Sequence, residues 1–207
     1  MKMPLDPIAS SHMELEERIV NQLHSALGIS AQTIEHYSPV IADASEQLLA
    51  CLMSEHKIIC AGNGASQSIA NYFTTTLMQR FREDRPGLPA LALGADSGVT
   101  TGTAEESGYV QTYARQIQAL GQPGDVLVLI SSSGNDRNLI QAIQAAHDRE
   151  MQVIAITGRD GGNITALLEP TEIEICVAAE DDPAIHLAQM LTLQCLLDLI
   201  EFQLFGA

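Results

Sequence analysis

Asn63, Ser66, Ser131, Ser132 and Ser133 sit in two short stretches built alike. Cys60-Ala61-Gly62-Asn63-Gly64-Ala65-Ser66 follows Ile58-Ile59, and Ser131-Ser132-Ser133-Gly134-Asn135 follows Val126-Leu127-Val128-Leu129-Ile130. Each is an apolar run that breaks into small residues and then enters a helical pattern. That signature belongs to a buried strand delivering a loop to a helix N-terminus. Backbone N–H groups there point outward and the helix dipole favours negative charge, so an anion settles. Serine hydroxyls add donors that rotate to suit. With no lysine in either loop, the chemistry that fits is phosphate held by hydroxyls and backbone amides, and the pair forms a cradle for a phosphorylated sugar. Glycines that merely serve tight turns would explain one such loop; two parallel loops with four serines among them favour the anion site. Neither loop carries GxGxxG or GK[ST], so dinucleotide and P-loop binding are excluded.

Strands and helices must position these loops. Leu15, Ile19, Leu23 and Leu27 recur every four residues and predict an amphipathic helix from about Met13. Ser38-Pro39 reads as N-cap and first residue of a second helix carrying Leu48, Leu49 and Leu52. Five strands are predicted at 57–61, 88–93, 126–130, 152–157 and 172–177, with helical patterns over 68–80, 109–119 and 137–149 and a final long helix over 183–204. This alternation implies right-handed crossovers and a parallel sheet covered on both faces. Ligands of such sheets bind at the carboxyl ends of the strands. The two Ser/Gly loops lie there, as does Thr157-Gly158-Arg159-Asp160-Gly161-Gly162.

At 207 residues the chain suits one α/β domain, and its net charge of −16 argues against direct nucleic-acid binding. No apolar run approaches the roughly 20 residues of a membrane helix. Cys51, Cys60, Cys176 and Cys195 lack CxxC spacing and read as buried free thiols in a reducing cytoplasm. Arg80, Arg82 and Arg85 read as a solvated helix end. Residues 1–12 are expected to be a vector-derived leader or a disordered N-terminus, with the domain over 13–207.

The two loops, together with Arg85-Pro86-Gly87-Leu88-Pro89-Ala90, Gly124-Asp125-Val126-Leu127 and Thr157–Gly162, resemble the sugar isomerase (SIS) domain family, in its phosphoheptose isomerase branch. The ending Met190-Leu191-Thr192-Leu193-Gln194-Cys195-Leu196-Leu197-Asp198-Leu199-Ile200 is most similar to the DiaA type within that family, which binds the replication initiator DnaA. The resemblance implies a three-layer α/β fold with a five-stranded parallel sheet, N-terminal helices and a long C-terminal helix. It implies a homotetramer with ligand sites at subunit interfaces, and sugar phosphate held by Ser66, Ser131, Ser132 and Ser133. In the isomerases of the family a glutamate and a histidine transfer the proton and zinc is bound among the site residues.

Carried over residue by residue, the glutamate position falls on Thr76 and a histidine one turn earlier on Tyr72. On the last helix the glutamine position is His186 and the histidine position Gln194. A threonine hydroxyl is not a usable base near neutral pH, and His186 is the one strong zinc ligand of the four. Asp136 stands where the family usually has serine; it reads as the N-cap of the next helix, repels phosphate and can itself fill the anion's space. The expectation is therefore a non-catalytic DiaA-type binder of DnaA without cofactor. Competing readings are a divergent sedoheptulose 7-phosphate isomerase, for which zinc would be retained, and a sugar-phosphate sensor without turnover. Leu204 and Phe205 near the end are the expected partner-binding anchor.

Overall fold

The computed structural model describes residues 7–206, with side chains from residue 11. Strands β1 (Ile58–Gly62), β2 (Ala90–Ala92), β3 (Val126–Ile130), β4 (Gln152–Gly158) and β5 (Ile173–Val177) form one sheet. All pairs are parallel, in the order β2-β1-β3-β4-β5. β1 and β3 are buried along their whole length, as continuous apolar runs in the middle of a doubly covered sheet must be. Alternate side chains leave by opposite faces. Ile58, Cys60, Val126, Val128 and Ile130 meet α1 (Pro7–Met53), α2 (Ala65–Met78) and α7 (Asp182–Phe205). Ile59, Ala61, Leu127 and Leu129 meet α4 (Thr112–Leu120) and α5 (Arg137–Asp148). The three-layer architecture agrees with the expectation.

Several local expectations need correction. The chain does not break at Pro39: α1 runs through it. Pro39 has no N–H for the Glu35 carbonyl, but the Ser38 hydroxyl donates to that carbonyl at 3.3 Å instead. Ile41, Ala44 and Leu48 beyond it anchor the helix in the core. Helix α3 (Ser97–Ser107) was not foreseen, because its Gly/Thr-rich sequence has no apolar period. It starts where the Asp96 carboxylate accepts the N–H groups of Gly98 (2.8 Å) and Val99 (3.1 Å). Of the four cysteines, Cys176 and Cys195 are half-buried rather than buried, though all four are free thiols. Of the expected leader, residues 1–6 lie outside the described residues and 7–12 open α1. Helix α7 is long and apolar enough to cross a membrane by length and composition, yet it lies against α1 and α2, with Leu193, Leu196, Leu197 and Ile200 in the core. It extends through Leu204, half-buried on that core, and Phe205, which is 45% exposed.

Arg85 is no part of a solvated helix end. It and Glu201 on α7 are each 3% exposed and paired at 2.7 Å. The Glu201 carboxylate also accepts the backbone N–H groups of Phe81, Arg82 and Glu83. Arg85 donates onward to the carbonyls of Leu77 (2.9 Å) and Thr76 (3.1 Å), the orphan acceptors at the end of α2. Burial alone would raise the Glu201 pKa; the Arg82 N–H, the Arg85 guanidinium and the Glu83 and Phe81 N–H groups outweigh it and hold the carboxyl below its ordinary 4.5. A carboxyl depressed on folding stabilises the fold above its unfolded pKa, and that stability is lost as pH falls through the folded value. Glu201→Ala should cost about 3–5 kcal/mol in chemical denaturation, because it strands a buried guanidinium. The wild type should lose stability below about pH 4.5, and Glu201→Gln should lose less of its own over the same acid range.

Candidate functional site

β1 pairs with β2 on one side and β3 on the other, so the chain leaves the sheet in opposite directions from β1 and β3. A crevice opens at such a switch point, outside the carboxyl ends of the strands. Gly62 of β1 is in register with Ile130 of β3, so loop 1 (62–66) and loop 2 (131–136) emerge side by side. Gly62 has no room for a side chain: a Cβ there would lie 2.7 Å from the Ser66 backbone, where α2 begins.

The loops are tied together through Asn63. Its Nδ2 donates to Oδ1 of Asp136 and Oδ1 of Asn138, both at 2.9 Å. Its Oδ1 accepts from Asn138 Nδ2 and from the Tyr109 hydroxyl, again at 2.9 Å each. Tyr113 is buried and donates to the Gly62 carbonyl. Burial first, then the neighbouring Tyr109 phenol and the Asp136 carboxylate, push its pKa above the usual value, so it stays a neutral donor. Loop 2 is held from below by Gln189 of α7, fully buried, whose Nε2 donates to the carbonyls of Ser131 (2.9 Å) and Ile156 (3.0 Å). Arg159 reaches over it to the Ser132 carbonyl at 3.1 Å.

The structure thus brings Asn63, Ser131 and Asp136 into contact. Ser66 is buried in the first turn of α2, and Ser133 Oγ accepts the Asn135 N–H at 3.2 Å. Asp136 departs from expectation in one respect. It occupies the N-cap position of α5, but its side chain makes no capping bond. Oδ2 accepts the Ser131 hydroxyl at 2.5 Å while Oδ1 takes Asn63, and these two donors draw the carboxylate away from the helix amides. Tyr109, Tyr113, Asn138 and Gln189 escaped the sequence reading. A polar Asn138 in the first turn of a helix and a glutamine inside an apolar one were the available signals.

The four positions of altered type lie on two helices. Thr76 donates its hydroxyl to the Tyr72 carbonyl one turn back (2.8 Å), and the Tyr72 hydroxyl accepts Gln194 Nε2 at 3.5 Å across to α7. His186 is half-buried on α7, two turns before Gln194 on one helix face. Phenol, threonine hydroxyl, amide and a single imidazole do not fit zinc, which takes thiolate, imidazole and carboxylate donors. Among the described residues no three His, Cys, Asp or Glu side chains gather as a metal site.

A SIS-domain model matches residues 22–158. The phosphoheptose isomerase of Chromohalobacter salexigens is 43% identical over 94% of this chain and 99% of its own length. That of Azoarcus sp. is 43% identical over 94% and 98%. Among solved structures, phosphoheptose isomerase GmhA from Neisseria gonorrhoeae superposes with a TM-score of 0.86 at 34% identity, covering 90% of this chain and 98% of that one. These similarities overturn the expectation of a non-catalytic, DiaA-type initiator binder, since the relatives matched over nearly the whole chain are named as isomerases.

The seam between loop 2 and the loop after β4 is tight at Gly134, whose φ is +66° and where a Cβ would run into the backbone carbonyl of Gly161. Gly134→Ala should cost at least about 2 kcal/mol, from the left-handed backbone and the clash together. Thermal and urea unfolding measure it, and a neutral substitution would mean that the seam is loose.

Proposed function

The chain belongs to the SIS-domain family, in its phosphoheptose isomerase branch, and from that membership we propose that it isomerises a seven-carbon sugar phosphate, sedoheptulose 7-phosphate. The observation that carries the reading is the joining of loops 1 and 2 at the switch point of the sheet, in a chain similar along its length to isomerases. The reaction moves a proton between adjacent carbons of an open-chain sugar, through an enediol. It needs an anchor for the phosphate and a group that takes up and returns the proton. Asn63, Ser66 and the hydroxyls of Ser131, Ser132 and Ser133 supply the anchor. Thr76 is excluded as base by its chemistry and by its bond to its own helix. His186 carries the one imidazole at the four altered positions, and it takes the proton-transfer role in this reading.

The proposed assembly is a homotetramer in the cytoplasm. Leu15, Ile19, Leu23 and Leu27 form a stripe on α1, each between 47% and 66% exposed, which self-association would cover. Ile19→Glu combined with Leu23→Glu should break the assembly into smaller species by light scattering; an unchanged mass would place the interface elsewhere.

Purified protein with sedoheptulose 7-phosphate tests the activity. Turnover should fall about 10²–10⁴-fold in His186→Ala and stay unchanged in Thr76→Ala. Binding of the sugar phosphate by the wild type without any turnover would overturn the isomerase reading.

A further inference from the structure

The cradle at loop 2 already holds an oxyanion, and it is the chain's own. Asp136 has the extended backbone of an N-cap residue, φ −70° and ψ 113°, yet its side chain caps nothing. Its carboxylate instead takes the Ser131 hydroxyl at 2.5 Å and the Asn63 amide at 2.9 Å. The Ser131 oxygen in turn accepts the N–H groups of Gly134 (2.9 Å) and Ser133 (3.3 Å), so the loop is wound around this one contact. Ser131 and Asn63 are the donors that a phosphate entering between the loops would need. Two anions at that range disfavour each other, so phosphate and the Asp136 carboxylate cannot share the place.

We propose that Asp136 sets the ligand specificity of the cradle: its carboxylate is an intramolecular competitor that an entering phosphate must displace. A second seat is ready for the displaced group. The backbone of Asp136 is already in N-cap geometry; the Leu139 N–H is taken by Asn138 Oδ1 at 3.1 Å, and rotation about the Asp136 side-chain bond carries its carboxylate to the Asn138 N–H, the other amide that an N-cap aspartate serves. The exchange leaves the carboxylate hydrogen-bonded in both states. It sets a threshold that a ligand with stronger and more numerous acceptor oxygens, such as a phosphate dianion, passes and a sugar carboxylate does not. The inference rests on the isomerase reading only in placing phosphate between these two loops.

Isothermal titration with inorganic phosphate at constant pH tests it, on the wild type, Asp136→Ser and Asp136→Asn. Serine and asparagine both serve as N-caps, so α5 keeps its start, and either variant alone carries the test if the other fails to fold. Phosphate should bind at least about tenfold more tightly to Asp136→Ser, the change expected when a charge-assisted hydrogen bond no longer has to be broken, and more tightly to Asp136→Asn as well. Equal or weaker affinity in both variants, or no phosphate binding by any of the three proteins, overturns the proposal. Turnover of sedoheptulose 7-phosphate by the wild type is read separately. Its absence sinks the isomerase reading while a phosphate gain in the variants still upholds the role of Asp136.

Discussion

The side chain of Asn63 is the tie on which the site depends. Strand register alone sets loops 1 and 2 next to each other, because Gly62 lies beside Ile130. Register does not fix where their side chains point. Asn63 does so with one amide: its nitrogen serves Asp136 and Asn138, and its oxygen collects Asn138 and Tyr109. All four contacts bridge segments far apart in the chain, and a side chain that is only a donor or only an acceptor could make two of them at most. An aspartate there would put a second carboxylate against Asp136, and a leucine would leave the Asn138 amide without its partner.

Two further clamps keep this tie in place from outside the crevice. At the opposite end of the same two strands, buried Asp125 accepts the Lys57 N–H (3.0 Å), the Lys57 ammonium (2.6 Å) and the Gln122 N–H (2.8 Å), which locks β1 to β3. At the far end of α2, Glu201 and Arg85 lock that helix to α7. The helix that starts at loop 1 and the helix that supports loop 2 through Gln189 are therefore joined to each other as well as to the sheet. Within this frame Tyr72 of α2 meets Gln194 of α7 at 3.5 Å.

The frame was legible in the sequence where burial dictates residue type. Val126–Ile130 reads as a strand with the same ends in both, because five apolar residues bounded by polar ones leave few alternatives. Loops 1 and 2 announce themselves by glycine and serine after such runs. Legibility fails where a distant partner overrides a local preference. Asp136 reads as a cap from its neighbours, but Asn63, 73 residues away, wins its carboxylate. Tyr109 and Asn138 join the site through the same residue at separations of 46 and 75, which no local pattern reveals. Pro39 reads as a helix start, and the packing of α1 on the core carries the helix through it. The reading of the whole chain as a non-catalytic binder failed for a related reason. It rested on the ending 190–200 and on single altered residues at 72, 76, 136, 186 and 194, whereas the relatives matched along nearly the entire chain are named as isomerases.

A crystal structure of the protein with sedoheptulose 7-phosphate bound is the most direct test of this account. The account predicts the phosphate between loops 1 and 2, hydrogen-bonded to Ser131 and Asn63, with the Asp136 carboxylate turned onto the Asn138 N–H at the start of α5. A phosphate bound elsewhere, or one bound with Asp136 still joined to Ser131 and Asn63, would contradict it.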